Sequence, residues 1–313
     1  MKSGNVGQNE RFASPLTVST PLRPVFKTSE NLPRYGRSEI RRNVALGNLF
    51  WFAVLLMVVA LVFSVVLRAD TVPVRHREGL VHGFLVLRTL DGEIIANGDQ
   101  TQVARGDRIT SRLVFHFKDG SLHEETAEFS QQGTFRLLKD HLVQKGPSFK
   151  EPTDTTLDAT TGQFVNSYTD EKGQSKVITE KVDAPPDVAN GLILTLLKNL
   201  RPGNNSVSVS MVAATPKPRV VKLVITPGGT QTFSVGGQKR EATDYVIKVD
   251  LKGIAGVVAP LVGKEPPDTH VWIMGGEAPA FVRMEGALYN GGPIWRIELA
   301  SPAWPESGNP VKN

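Results

Sequence analysis

Three hydrophobic patterns follow one another along the chain. The first is an unbroken apolar run, LFWFAVLLMVVALVFSVVL, from Leu49 to Leu67, in which Ser64 is the polar exception. The second begins at Leu80 and consists of short alternating or β-branched runs broken by Gly, Pro and Asp. The third lies inside the second. It is DVANGLILTLLKNL, Asp187 to Leu200, where Leu192, Leu196 and Leu200 recur every four residues beside Ile193 and Leu197.

The first pattern predicts a transmembrane helix over 43–68. About 20 apolar residues cross roughly 30 Å of hydrocarbon, and the uncharged stretch reaches back to Asn43. Phe50 and Trp51 stand near one end, where an aromatic belt forms. A cleaved signal fits less well, because Leu67-Arg68-Ala69 is a poor cleavage site and the leader before the run is long. A soluble helix would need a polar face, and this one has none. The expected partner is therefore the lipid bilayer, through Leu49 to Leu67. Arg34, Arg37, Arg41 and Arg42 flank the run on one side, and Arg68, Arg75 and Arg77 on the other. That bias, with a large domain after a short leader, places residues 1–42 inside and the domain outside the cytoplasmic membrane, in the periplasm or beyond.

The second pattern predicts strands over Val81–Leu90, Glu93–Asn97, Arg108–Lys118, Ser121–Ser130, Gly133–Gln144, Thr155–Ala159, Gln163–Thr169 and Lys176–Lys181. It continues with Ser206–Ala213, Val220–Thr226, Thr232–Val235, Glu241–Leu251, Thr269–Met274, Ala280–Glu285 and Ile294–Ala300. Asp119-Gly120 marks a hairpin with a two-residue turn. The third pattern predicts a helix from Asp187 to Leu200, capped by Asp187 and stopped before Arg201-Pro202-Gly203. Gly253–Val262 reads as a second, short helix that stops near Gly263. The fold class that follows is mainly β, a curved antiparallel sheet or half-barrel wrapped around one or two helices. The domains read as a disordered tail 1–42, the span 43–68, a linker 69–79, an antiparallel β domain 80–303 and a C-terminal tail 304–313.

Charge narrows the function. The first 48 residues carry eight basic and three acidic side chains, which accounts for the whole net charge of +5. The rest is neutral and lacks the electrostatic footprint of a nucleic-acid-binding domain. Cysteine is absent, which removes disulfides, thiolate metal sites and cysteine nucleophiles.

Three groups of residues are candidates for chemistry or binding. A two-residue turn at Asp119-Gly120 would set His116 opposite His123, with Glu125 two residues on. Two imidazoles and a carboxylate suit zinc or iron, although Arg112 and Lys118 share that face and favour a plain solvated hairpin. Glu277, Arg283 and Glu285 are a second cluster, for acid–base work or for a structural ion pair. The aromatics Phe117, Phe233, Trp272 and Trp295 are a third. They would line an apolar groove beside the helix, with Trp272 and Trp295 flanking it, or else form ordinary core. No GxSxG, HExxH, P-loop or GxGxxG motif occurs.

The stretches PDVANGLILTLLKNL, SVSMVAATPKPRVVKLVI and THVWIMGGEAPAFVRMEGALYNGGPIWRIELASP resemble uncharacterised bacterial cell-envelope proteins with one N-terminal membrane segment. More remotely, the pattern is similar to periplasmic half-barrel domains of the lipoprotein-carrier kind. The resemblance covers about residues 80–303 and implies location and fold, with no site residues to carry over. The expected role is binding of an apolar ligand, such as a lipid chain, or of a partner protein, with no enzymatic activity and no cofactor. A ligand-free envelope scaffold is the alternative, and a metal-dependent hydrolase at His116, His123 and Glu125 the third. The mature protein should retain residues 49–67, and an intact mass that includes them checks this; a chain beginning near Asp70 would contradict it.

Overall fold

The computed structural model describes residues 71–170, 172–201, 203, 205–213, 217–250 and 266–300. The predicted span, the two tails and the predicted helix Gly253–Val262 lie outside them. Among the described residues no helix is long and apolar enough to cross a membrane.

Fourteen strands of the described residues form one sheet. They are β1 (Val81–Arg88), β2 (Ile94–Arg105), β3 (Arg108–Phe117), β4 (Leu122–Ser130), β5 (Arg136–Lys145), β6 (Thr153–Asp158), β7 (Gln163–Thr169) and β8 (Ser175–Lys181), then β9 (Val207–Ala213), β10 (Arg219–Val235), β11 (Gln238–Asp250), β12 (Thr269–Met274), β13 (Ala280–Ala287) and β14 (Ile294–Leu299). Their spatial order runs from β8 back to β1, then β14 back to β9. Two antiparallel meanders are thus joined where β1 pairs with β14, through Leu85↔Leu299 and Leu87↔Ile297. The coarse expectation of a mainly β, antiparallel fold is what the chain adopts.

Alternation sets the inner face. In β4, His123, Ala127 and Phe129 are buried on one side. Two apolar clusters form on that face. One gathers Ile109, Phe129, Leu157 and Phe164 from the first meander with Val209, Ile225, Tyr245 and Val271 from the second. Strands far apart in the sheet order share this core, so the sheet curls. The other cluster joins Leu85, Leu87, Ala96, Phe115, Phe117 and Phe149 to Trp295 and Ile297.

The chain crosses from β8 to β9 through the first cluster. The helix there, α1, spans Ile193–Asn199, half the length predicted. Leu192 stands at its N-cap with no side-chain cap bond, so Asp187 does not cap it. Residues 187–191 are spent on the sheet edge instead. Ala189 N–H donates to Ser210 O at 2.8 Å, and Ser210 N–H donates to Asp187 O at 3.2 Å. The Asn190 amide imitates a peptide group: its Nδ2 donates to Val212 O and its Oδ1 accepts from Val212 N, both at 2.9 Å. This closes the free edge of β9, which would otherwise leave backbone groups unpaired. Gly191, at φ +63°, then turns the chain into the helix. Leu192, Leu196 and Leu197 are buried as the spacing predicts.

Residues 72–78, predicted as linker, form a strap bonded to the domain. Phe135 N–H donates to Val72 O at 3.1 Å, and Val74 N–H donates to Gly133 O at 2.9 Å. The N–H groups of Arg75 and His76 both donate to Asn199 Oδ1, at 2.9 and 2.7 Å. The buried Glu78 carboxylate takes Lys198 Nζ at 2.7 Å and Gln102 Nε2 at 2.8 Å. Pro73 reads as a loop-former but still allows this, because the Val72 carbonyl before it and the Val74 N–H after it make the bonds.

The predicted strand Thr232–Val235 is the far end of a continuous β10, which carries a bulge at Pro227/Gly229. Past Ala242↔Met274, where β12 ends, β10 and β11 pair with each other alone out to Val235↔Gln238. The result is a two-stranded arm turned by Gly236 and Gly237 at positive φ.

Leu196→Asp should unfold the domain or lower its melting temperature sharply, since an unpaired buried carboxylate costs about 3–5 kcal/mol. Thermal unfolding followed by circular dichroism checks this, and an unchanged transition would place Leu196 outside the core.

Candidate functional site

The β3–β4 hairpin decides which side chains meet. Phe117 N–H donates to Ser121 O at 2.9 Å and Gly120 N–H donates to Phe117 O at 3.1 Å, so the loop is Lys118-Asp119-Gly120, three residues rather than two. Gly120 at φ +85° makes that loop possible. The Asp119 carboxylate holds it, accepting from Ser121 N–H at 2.9 Å and from the Ser148 hydroxyl at 2.6 Å. Those bonds, the Ser148 one foremost, lower its pKa below the usual 3.8.

The extra residue shifts the register by one. Phe115, not His116, lies opposite His123, and His116 lies opposite Leu122. A one-residue slip exchanges faces. His116 is therefore exposed on the outer face while His123 is buried on the inner one. This corrects the expected His116–His123–Glu125 ligand set. Among the described residues no three His, Cys, Asp or Glu side chains stand where they could hold a metal ion.

The inner face brings different partners together. Register sets Ala127 opposite Asp140 and Glu125 opposite Leu142. Glu125 and Asp140 are thus diagonal neighbours on one face, within side-chain reach. Gly191 lies over both. A Cβ there would stand 2.6 Å from the Ala127 methyl, 3.1 Å from Asp140 Oδ1 and 3.5 Å from Glu125 Cδ. Only glycine lets the backbone approach this closely. Burial raises the Glu125 pKa to about 7, and the Gly191 N–H offsets part of that rise. Glu125 is half-buried as a residue, but its carboxyl end is enclosed. Burial first, and the Glu125 charge second, push Asp140 well above the usual 3.8. Asp140 Oδ1 has no hydrogen-bond partner.

Polar groups extend the strip along the same face. Gln144 Nε2 lies 3.0 Å from His123 Nδ1 and donates to Leu288 O at 2.8 Å. Nδ1 accepts, so the imidazole is neutral, and burial lowers its pKa to about 4. Thr153 and Thr155 donate to Asn166 Oδ1 at 2.9 and 3.2 Å. Chemically this is a pair of buried carboxyls whose protonated forms burial favours, on one face with a neutral imidazole. The diagonal of β4 and β5 was not legible without the register; the alternation of β4 alone does put His123, Glu125 and Ala127 on one side.

The four aromatics separate. Phe117 and Trp295 meet, with ring centres 5.4 Å apart, and Phe149 packs edge-on against both at 5.4 and 6.4 Å. Trp272 lies on the opposite face from Trp295, because it shares its register with Arg283 and Glu298 whereas Trp295 shares its face with Ile297. The two tryptophans do not flank one groove. Trp272 stacks on His270 at 5.8 Å beneath the Arg283 guanidinium at 5.6 Å. Phe233 stands on the arm, opposite Arg240. The Arg283–Glu285 cluster is a ladder of ion pairs: Arg283 to Glu298 at 2.9 Å and Arg296 to Glu285 at 2.7 Å. Glu277 is exposed in the turn after β12.

No family model matches the chain, and no curated protein matches it. Among solved structures it is remotely similar to a beta-barrel-like protein of the domain of unknown function DUF1849 from Brucella abortus. The identity is 11% and the TM-score 0.40, over 72% of this chain and 98% of that one.

The carboxyl pair gives stability a definite pH dependence. Both groups hold their protons more tightly in the folded state, so stability falls as pH rises from the unfolded carboxylate range through about 7. His123 acts oppositely: neutral in the fold down to about 4, it costs stability as pH falls below 6.5. The double variant Glu125→Gln, Asp140→Asn should melt above the wild type at pH 8 and lose that advantage at pH 4. Each tenfold change in proton affinity is worth about 1.4 kcal/mol, so the gain is on the order of a few kcal/mol. Thermal unfolding at the two pH values measures it.

Proposed function

We propose that the chain is a single-span cell-envelope protein, anchored through Leu49 to Leu67, whose β domain serves outside the cytoplasmic membrane as a scaffold for a partner protein. Its role is binding and not catalysis. The observation that supports this most is the fate of the aromatics. Phe117 and Trp295 are buried against each other, and Phe149 fills the space over both. An interior packed this way holds the two meanders together, which suits a scaffold better than a carrier. Contacts are then left to the outside, where the β10–β11 arm and the unpaired edge of β8 are exposed.

One observation favours a second reading. Phe149 sits in the connection between β5 and β6, not in a strand. An acyl chain that displaced this ring would lie between Phe117 and Trp295 and gain about 0.8 kcal/mol per buried CH₂.

Brominated fatty acids distinguish the two. On the scaffold reading they quench the wild type and a Trp295→Phe variant of the full chain in the same way. Quenching that is lost with Trp295 would overturn the scaffold reading in favour of lipid binding.

A further inference from the structure

The anchor proposed above leaves little slack. Arg68, Ala69 and Asp70 separate Leu67 from Thr71, and Val72 is already hydrogen-bonded to Phe135. At about 3.5 Å per extended residue, the path from Leu67 to Val72 covers at most roughly 17 Å. On the anchored reading, the part of the sheet that receives the strap is therefore held at the headgroup layer.

Antiparallel pairing identifies that part. The strap meets the turn between β4 and β5. Alternate turns of a meander lie along one rim. On the same rim are the turns after β2, β6 and β12, the start of β1, the end of β14 and the tip of the arm.

Two kinds of side chain collect there. Nine large apolar residues of the described chain are exposed. Six of them, Leu80, Val81, Phe84, Val103, Val235 and Leu299, lie on this rim or in the strand halves next to it, with exposures from 41% for Val81 to 82% for Leu80. Leu90, Val177 and Val220 lie toward the other rim. Around the strap, Arg77 pairs with Asp107 at 2.6 Å, Arg108 with Glu128 at 3.5 Å and the buried Glu78 with Lys198 at 2.7 Å, which leaves Arg75, Arg105 and Arg136 against Asp158. Apolar side chains rimmed by arginine are what an anionic bilayer surface binds.

We propose that this rim is the membrane-apposed face of the domain. Its apolar side chains enter the interfacial layer, and its arginines meet anionic headgroups. The proposal rests on the anchored reading above.

The absence of cysteine allows a direct test. Single substitutions Phe84→Cys and Val235→Cys on the rim, Leu90→Cys and Val177→Cys away from it, and Ala53→Cys in the predicted span each receive one polarity-sensitive fluorophore. The full chain is reconstituted in phosphatidylcholine vesicles containing phosphatidylglycerol, with brominated lipid as quencher. Rim labels should be quenched several-fold more than the labels at Leu90 and Val177. That excess should shrink in pure phosphatidylcholine and in an Arg105→Glu, Arg108→Glu background. If the Ala53 label is quenched while rim and distant labels respond equally, the anchor stands and this proposal fails, leaving the rim to a protein partner. If the Ala53 label itself escapes quenching, the anchored reading fails and takes this proposal with it.

Discussion

The pairing of β1 with β14 is the constraint on which the fold depends. The chain leaves β1, winds out to β8, crosses through α1, and winds back from β9 to β14. Nothing else in the order of the described strands joins the two meanders. On the inner face the seam carries Leu85 and Leu87 against Ile297. On the outer face Arg88 and Arg283 share the Glu298 carboxylate. Apolar contact on one side and an ion-pair ladder on the other fix the register from both faces. A slip by one residue would put leucine in the ladder and glutamate in the core.

Much of this was legible in the sequence, and the failures have identifiable causes. Strand existence followed from alternation, and burial of Leu192, Leu196 and Leu197 followed from their spacing. The first half of the predicted helix was lost because Asn190 could do something periodicity does not score: its amide completes the edge of β9. The histidine pair was lost to a single residue of loop length, since Asp119-Gly120 serves a two-residue and a three-residue turn equally well. In the loop that forms, Asp119 is bonded by Ser121 and by Ser148 from the β5–β6 connection, a partner that the hairpin's own sequence does not reveal. Trp272 and Trp295 sit on different strands, and only the register between them tells whether they share a face. The strap was read as linker because its bonds go to the backbone of Phe135 and Gly133 and to the polar side chains of Asn199, Gln131 and Gln102, and such contacts leave no hydrophobic pattern.

The interior polar strip lies on the inner face with the two apolar clusters, and Phe281 and Met284 pack against both clusters. Glu125, Asp140, His123 and Gln144 occupy positions where leucine and valine would pack with no desolvation cost. Each is accommodated differently. His123 gives up its charge, Gln144 reaches the backbone of Leu288, and the carboxyls take up protons beneath a glycine. Among the described residues Asp140 Oδ1 remains without a hydrogen-bond partner, as do Asp187 Oδ1 and Trp272 Nε1 elsewhere in the interior.

The strap also has a mechanical meaning. A pull on the chain ahead of Thr71 is carried first by the backbone bonds of Val72 and Val74, then by the two bonds to Asn199, and last by Glu78 on Lys198. Asn199 and Lys198 belong to the final turn of α1, whose opposite end adjoins Gly191 above the carboxyl pair. Tension at the N-terminal side is thus led, within a few residues, onto the helix that fills the sheet. The β4–β5 turn takes the load first, and the strap then passes it to the element that the core is built around.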